Sequence, residues 1–152
     1  MATVKYFEDL DVWQEARRLS KEIIEISKKT DLKSDFRLRD QIKASSGSVM
    51  DNIAEGFERD GNREFIQFLS ISKSSAGETR SQLYRIYDNG YISEDKLFDL
   101  IKDYKILSKR IANFMAYLNK EDFKGLKFRN GVVNNRNLKH QTKFDGKHET
   151  KE

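Results

Sequence analysis

Apolar residues recur along this chain at the three-and-four spacing of helices, in four segments separated by short polar breaks. The first segment runs from about Asp9 to Lys29 and puts Leu10, Trp13, Ala16, Leu19, Ile23 and Ile26 on one face. Asp9 is its expected cap, and Lys28 and Lys29 suit the electronegative carboxyl end. After the linker Thr30 to Ser34, Ser34 or Asp35 caps a second helix that reaches about Glu58. Its apolar stripe is Leu38, Ile42, Val49, Ile53 and Phe57. A glycine-containing turn, Glu58 to Asn62, leads to a third helix from about Arg63 to Asp88, with Phe65, Phe68, Leu69, Ala76, Leu83 and Ile86 inward. Asn89-Gly90 stops it, and Ser93 caps a fourth helix whose inner face runs from Leu97 through Leu100, Ile101, Tyr104, Leu107, Ile111 and Phe114 to Leu118. Each helix is on the order of 30 Å long. Four near-equal helices joined by short turns predict an all-α, antiparallel up-down-up-down bundle.

A second stripe runs beside the apolar one on the second helix. Gln41, Ser45, Ser48, Asn52 and Glu55 step by four, three, four and three, inside a segment unusually rich in serine, glycine and alanine. The third helix repeats the theme with Ser72, Ser75 and Thr79. Small polar residues on facing helices have two readings. They let helices 2 and 3 of one subunit approach closely, or they meet a second subunit.

Composition agrees with long helices. Charged residues make up 36% of the 152-residue chain, hydrophobic residues 37%, and proline is absent. That length supports one core, placed here in residues 1–119, followed by an extension over residues 120–152 that loses the periodicity. The absence of cysteine excludes disulfides and thiolate metal sites. No segment resembles a signal peptide or a membrane span, which predicts a soluble, cytoplasmic protein with no membrane partner. The net charge of +4 belongs to the extension: nine Lys/Arg against five Asp/Glu after Asn119 leave twenty of each sign in the rest. Phe123, Leu126, Phe128, Val132, Val133, Leu138 and Phe144 are interleaved among those basic groups. The extension therefore reads as partly disordered, as a strap on the bundle, or as a nucleic-acid arm.

Catalytic chemistry is hard to place. Both histidines, His140 and His148, fall in the extension, so the bundle holds no imidazole to act as base or ligand. No Glu-x-x-His pair supports a di-metal centre, and no phosphate-binding loop motif is present. Ser45, Ser46 and Ser48 lack a histidine partner and read as spacers. The expectation is a non-catalytic protein without metal or cofactor. With that chemistry gone, close packing of helices 2 and 3 becomes the preferred account of the serine-rich stripe. Binding has more support. Arg37, Arg39 and Lys43 gather near the start of the second helix, Arg59 and Arg63 near its end, and Lys73 and Arg80 follow on the third. They are read either as solvated partners of the acids or as a phosphate-binding surface. Tyr6, Phe7, Phe36, Tyr84, Tyr87, Tyr91 and Tyr117 fall near helix ends or off the main apolar faces, which points to self-association.

Several ordered motifs resemble a known family. They are F-E-D-L-D-V-W-Q-E-A-R from Phe7, Q-I-K-A-S-S-G-S-V-M-D-N-I-A-E-G-F-E-R from Gln41, R-E-F-I-Q-F-L-S-I-S-K-S-S-A-G-E-T from Arg63, and N-G-Y-I from Asn89. Over residues 7–118 they resemble the bacterial four-helix bundle proteins called 23S ribosomal RNA intervening-sequence proteins. The accessory variability determinant of diversity-generating retroelements is similar too. The resemblance implies a homopentameric ring of bundles, a surface suited to RNA or DNA, no enzymatic activity, and for the retroelement branch a reverse transcriptase partner. The family's Asn-Ile-Ala-Glu-Gly motif falls on Asn52 to Gly56, and its Ser-x-x-Glu element on Ser75 and Glu78. The first interhelical loop departs from the family in lacking proline, and the extension has no counterpart there.

Overall fold

A computed structural model describes the backbone of residues 4–148 and the side chains of residues 4–122. Helix α1 spans Asp11–Lys29, α2 Phe36–Phe57, α3 Asn62–Asp88 and α4 Glu94–His148, with single 3₁₀ turns at Phe7–Asp9 and Asp31–Ser34. There is no strand among the described residues. Each helix packs on its neighbour in sequence, and α1 closes the bundle against α4. The α2–α3 contact is the most extensive and the α1–α4 contact the thinnest of the four. This is the predicted four-helix bundle.

The apolar stripes supply the core. Leu19, Ile23, Ile42, Ile53, Leu69, Leu83, Leu100 and Leu107 are almost wholly buried, and the predicted inner face of α4 is buried except for half-buried Phe114. Around the α2–α3 turn, Phe65 meets the rings of Phe57 and Phe114 edge-on at 5.9 and 5.3 Å.

Local signals set the ends. The Asp35 carboxylate accepts from Leu38 N–H at 3.3 Å to cap α2, and Ser93 accepts from Lys96 N–H at 3.2 Å to cap α4. Asp9 does not cap α1. The chain first makes the 3₁₀ turn at Phe7–Asp9, so Leu10 takes the cap position and no side chain caps that end. Gly61 and Gly90 adopt φ of 91° and 78°, a region that suits only glycine well, and so end the turns flanking α3.

Helix α4 continues beyond the predicted boundary at residue 119 as one helix to His148. The interleaved aromatics, the basic groups after Lys120 and both histidines of the extension lie outside the described side chains, as do the strap and arm readings.

Candidate nucleic-acid interface

The small-polar stripe lies in the α2–α3 seam. Ser45 donates to Gln82 Oε1 at 2.6 Å and stands 2.9 Å from the Thr79 hydroxyl. Gln82 in turn donates to Glu78 at 3.2 Å. Ser48 and Ser75 pair at 2.8 Å, and Ser72 donates to the backbone carbonyl of Val49 at 2.6 Å. At one end Arg85 donates to Gln41 at 3.1 Å. At the other, a Cβ on Gly56 would stand 2.6 Å from Phe68 Cβ, so only glycine admits α3 so close. Small side chains bring the two backbones together, and their hydroxyls satisfy one another once water is excluded. Asn52 donates back to Ser48 at 2.8 Å, whereas Glu55 is exposed and pairs with Arg59 at 3.1 Å. Glu55 therefore satisfies no buried group. The stripe is a structural seam, saturated within the subunit.

The candidate cations do not form one patch on the subunit. Arg37 and Arg59 are separated by the whole of α2, about 30 Å along its axis. Arg39 is committed locally: it pairs with Asp40 at 3.0 Å, donates to the Lys33 carbonyl at 3.0 Å and lies over the Phe36 ring. Arg59 lies over Phe68 while bonded to Glu55. Arg80 is half-buried, with its Nε buried and unbonded. Arg37, Lys43, Arg63 and Lys73 are exposed and form no ion pair with the described residues. Lys43 and Lys73 lie on flanks of α2 and α3 turned away from the shared seam, because each is offset from the seam residues around its helix.

A concave feature lies elsewhere. Where α1 meets the α3–α4 turn, an open groove of about 820 Å³ is lined by Arg17, Arg18, Lys21, Lys29 and Lys96, with Glu22 and Glu25 the only acids. Five cations against two carboxylates leave an excess of three positive charges. Arg18 bridges α1 to α4, bonded to Glu15 at 2.6 Å and Asp103 at 3.0 Å. Those bonds push its guanidinium pKa up, and the same contact lowers that of Glu15. Lys29 pairs with Glu25 at 2.8 Å and Lys96 approaches Glu22 at 3.6 Å. Arg17 and Lys21 face no carboxylate within pairing distance among the described residues; Arg17 sits 5.7 Å from the centroid of Trp13. Ile26, Ile92 and Tyr91 supply the apolar part of the wall. The Tyr91 hydroxyl bonds Asp35 at 2.9 Å, which also raises the phenol pKa.

Nothing in the sequence pattern marks this groove. Arg17 and Lys21, one turn apart on the polar side of α1, look like ordinary solvated charges until the α3–α4 turn is set beside them. The described residues contain no cluster of three or more metal-binding side chains, and no helix among them is long and apolar enough to cross a membrane.

The sequence profile of the family described as 23S rRNA-intervening sequence protein matches residues 8–113. The chain therefore belongs to that family. A crystal structure of a protein of unknown function from the S23 ribosomal protein family of Bacteroides thetaiotaomicron superimposes with a TM-score of 0.62 at 20% identity. That likeness covers 68% of this chain and 97% of the other, and it concerns the fold. No curated protein matches the chain.

Proposed function

We propose that this protein is a non-catalytic, self-associating, cytoplasmic protein that binds nucleic acid through its phosphate backbone. One observation carries the reading: Arg37, Lys43, Arg63 and Lys73 stand exposed with no ion pair among the described residues, whereas Arg18, Lys29, Arg39, Arg59 and Lys96 are held by acids. Unpaired cations release counterions from a polyanion without first breaking a salt bridge. Membership in a family named for a ribosomal RNA insertion agrees with that chemistry. Because the four cations are spread over the surface, one subunit binds weakly, and a ring of subunits, a pentamer in our reading, multiplies the contacts. Titration of labelled structured RNA and DNA at low salt tests the binding, with light scattering for assembly. No binding at low salt rejects the nucleic-acid reading, and a monomer at micromolar concentration rejects the ring.

A second reading is a scaffold that docks a partner such as a reverse transcriptase. It rests on Phe36, Phe98 and Tyr84, which are 64%, 53% and 45% exposed, more aromatic surface than a solvated bundle needs.

A further inference from the structure

We propose that the α1 groove seats a single-stranded nucleic-acid segment, an inference that rests on the nucleic-acid reading above and gives it a place. Three features select this occupant.

The first is charge. The lining holds three more cations than carboxylates in a bundle segment that is neutral as a whole; Glu15 and Asp103 offset Arg18 from outside the lining, and Arg17 and Lys21 are left to meet a polyanion. The carboxyl end of α1 and the amino end of α4 both border it, so their opposed dipoles offset and the side chains set the sign.

The second is the division of the cations into two kinds. Arg18, Lys29 and Lys96 are tied to acids, and the Arg18–Asp103 and Lys96–Glu22 pairs join α1 to α4 across the groove. Arg17 and Lys21 are one turn apart and free to take successive phosphates.

The third is the apolar wall. Ile92 and the ring of Tyr91, both half-buried and the ring anchored through its hydroxyl to Asp35, offer surface to unstacked bases. A duplex keeps its bases stacked inside and would leave that wall unused. A strand with splayed bases uses both halves of the groove.

The chain carries its own reporter. Its single tryptophan, Trp13, lies beneath the Arg17 guanidinium, one turn from the groove lining. The test is to follow Trp13 emission on the full-length chain while adding a 12-mer oligouridylate, the same length as a hairpin duplex, and polyglutamate. The strand should change the emission saturably, and tighter than the hairpin. Arg17→Glu with Lys21→Glu should weaken strand binding at least about tenfold. Both positions are exposed, and an unchanged circular dichroism spectrum confirms the fold. Lys105→Glu with Lys109→Glu, exposed on α4 and outside both the groove lining and the four cations named above, should leave binding within about threefold. Strand binding that spares Trp13, survives the Arg17/Lys21 change and is lost on Arg37→Glu with Lys43→Glu overturns the groove but keeps the nucleic-acid reading. Equal binding of polyglutamate or tighter binding of the hairpin overturns the single-strand assignment. No binding of any polyanion at low salt overturns both readings.

Discussion

Gly56 and Phe68 share a space that holds only one of their side chains: a Cβ on the glycine would lie 2.6 Å from Phe68 Cβ and 3.0 Å from the ring of Phe65. The close approach of α2 and α3 at this end depends on that missing carbon. The Asn-Ile-Ala-Glu-Gly motif is thus in part a packing instruction.

Gly56→Ala should lower stability. Overpacking a tight contact costs about 1–3 kcal/mol, which exceeds the roughly 1 kcal/mol gained from alanine's helix propensity. Gly47 lies on the same helix with nothing within 4 Å of a built Cβ. Gly47→Ala should therefore stabilise, by up to about 1 kcal/mol. Urea unfolding of the two variants checks the contrast, and equal shifts of the same sign would contradict it.

Ser45 joins Thr79 to Gln82 across the seam. Ser45→Ala should cost about 1–3 kcal/mol, because it strands a buried amide oxygen. Replacing Gln82 with Leu in that background should recover part of the loss, which a double-mutant cycle would detect.

Tyr104 is fully buried on α4, and its hydroxyl has no partner among the described residues. Burial, with Glu22 adding to it, pushes the phenol pKa up. Its folded value lies above its unfolded one, so its stabilising contribution is complete below about pH 10 and is lost as pH rises above that. Tyr104→Phe should be neutral or stabilising at pH 7, since no hydrogen bond is lost. It should also flatten the alkaline fall in stability, measured by unfolding from pH 8 to 11.

The helices and their buried faces were legible in the sequence because period and caps agree. Leu38, Ile42, Val49 and Ile53 share one face whatever the partner helix, and Asp35 and Ser93 cap as their positions suggest. Asp9 was misleading because a preceding 3₁₀ turn moves the cap position on by one residue, to Leu10. The seam was half legible. The stepping of Ser45 and Ser48 marks a face, but only the pairing with Gln82 and Ser75 shows what that face meets.

The candidate interface was the least legible part. Arg39 and Lys43 look equivalent in sequence, yet Arg39 is spent on Asp40, Lys33 and Phe36 while Lys43 is unpaired. The groove joins α1 to the α3–α4 turn, residues some seventy positions apart in the chain. Sequence periodicity describes each helix alone and carries no information about that meeting.

If this family member grips nucleic acid through unpaired surface cations, its affinity must fall steeply with salt. The most direct test is the salt dependence of the dissociation constant for an unstructured oligouridylate, measured from about 50 to 200 mM monovalent salt. Contacts with three or more phosphates predict a log–log slope at or beyond about −2. A slope near zero, or no binding at the lowest salt, would contradict it.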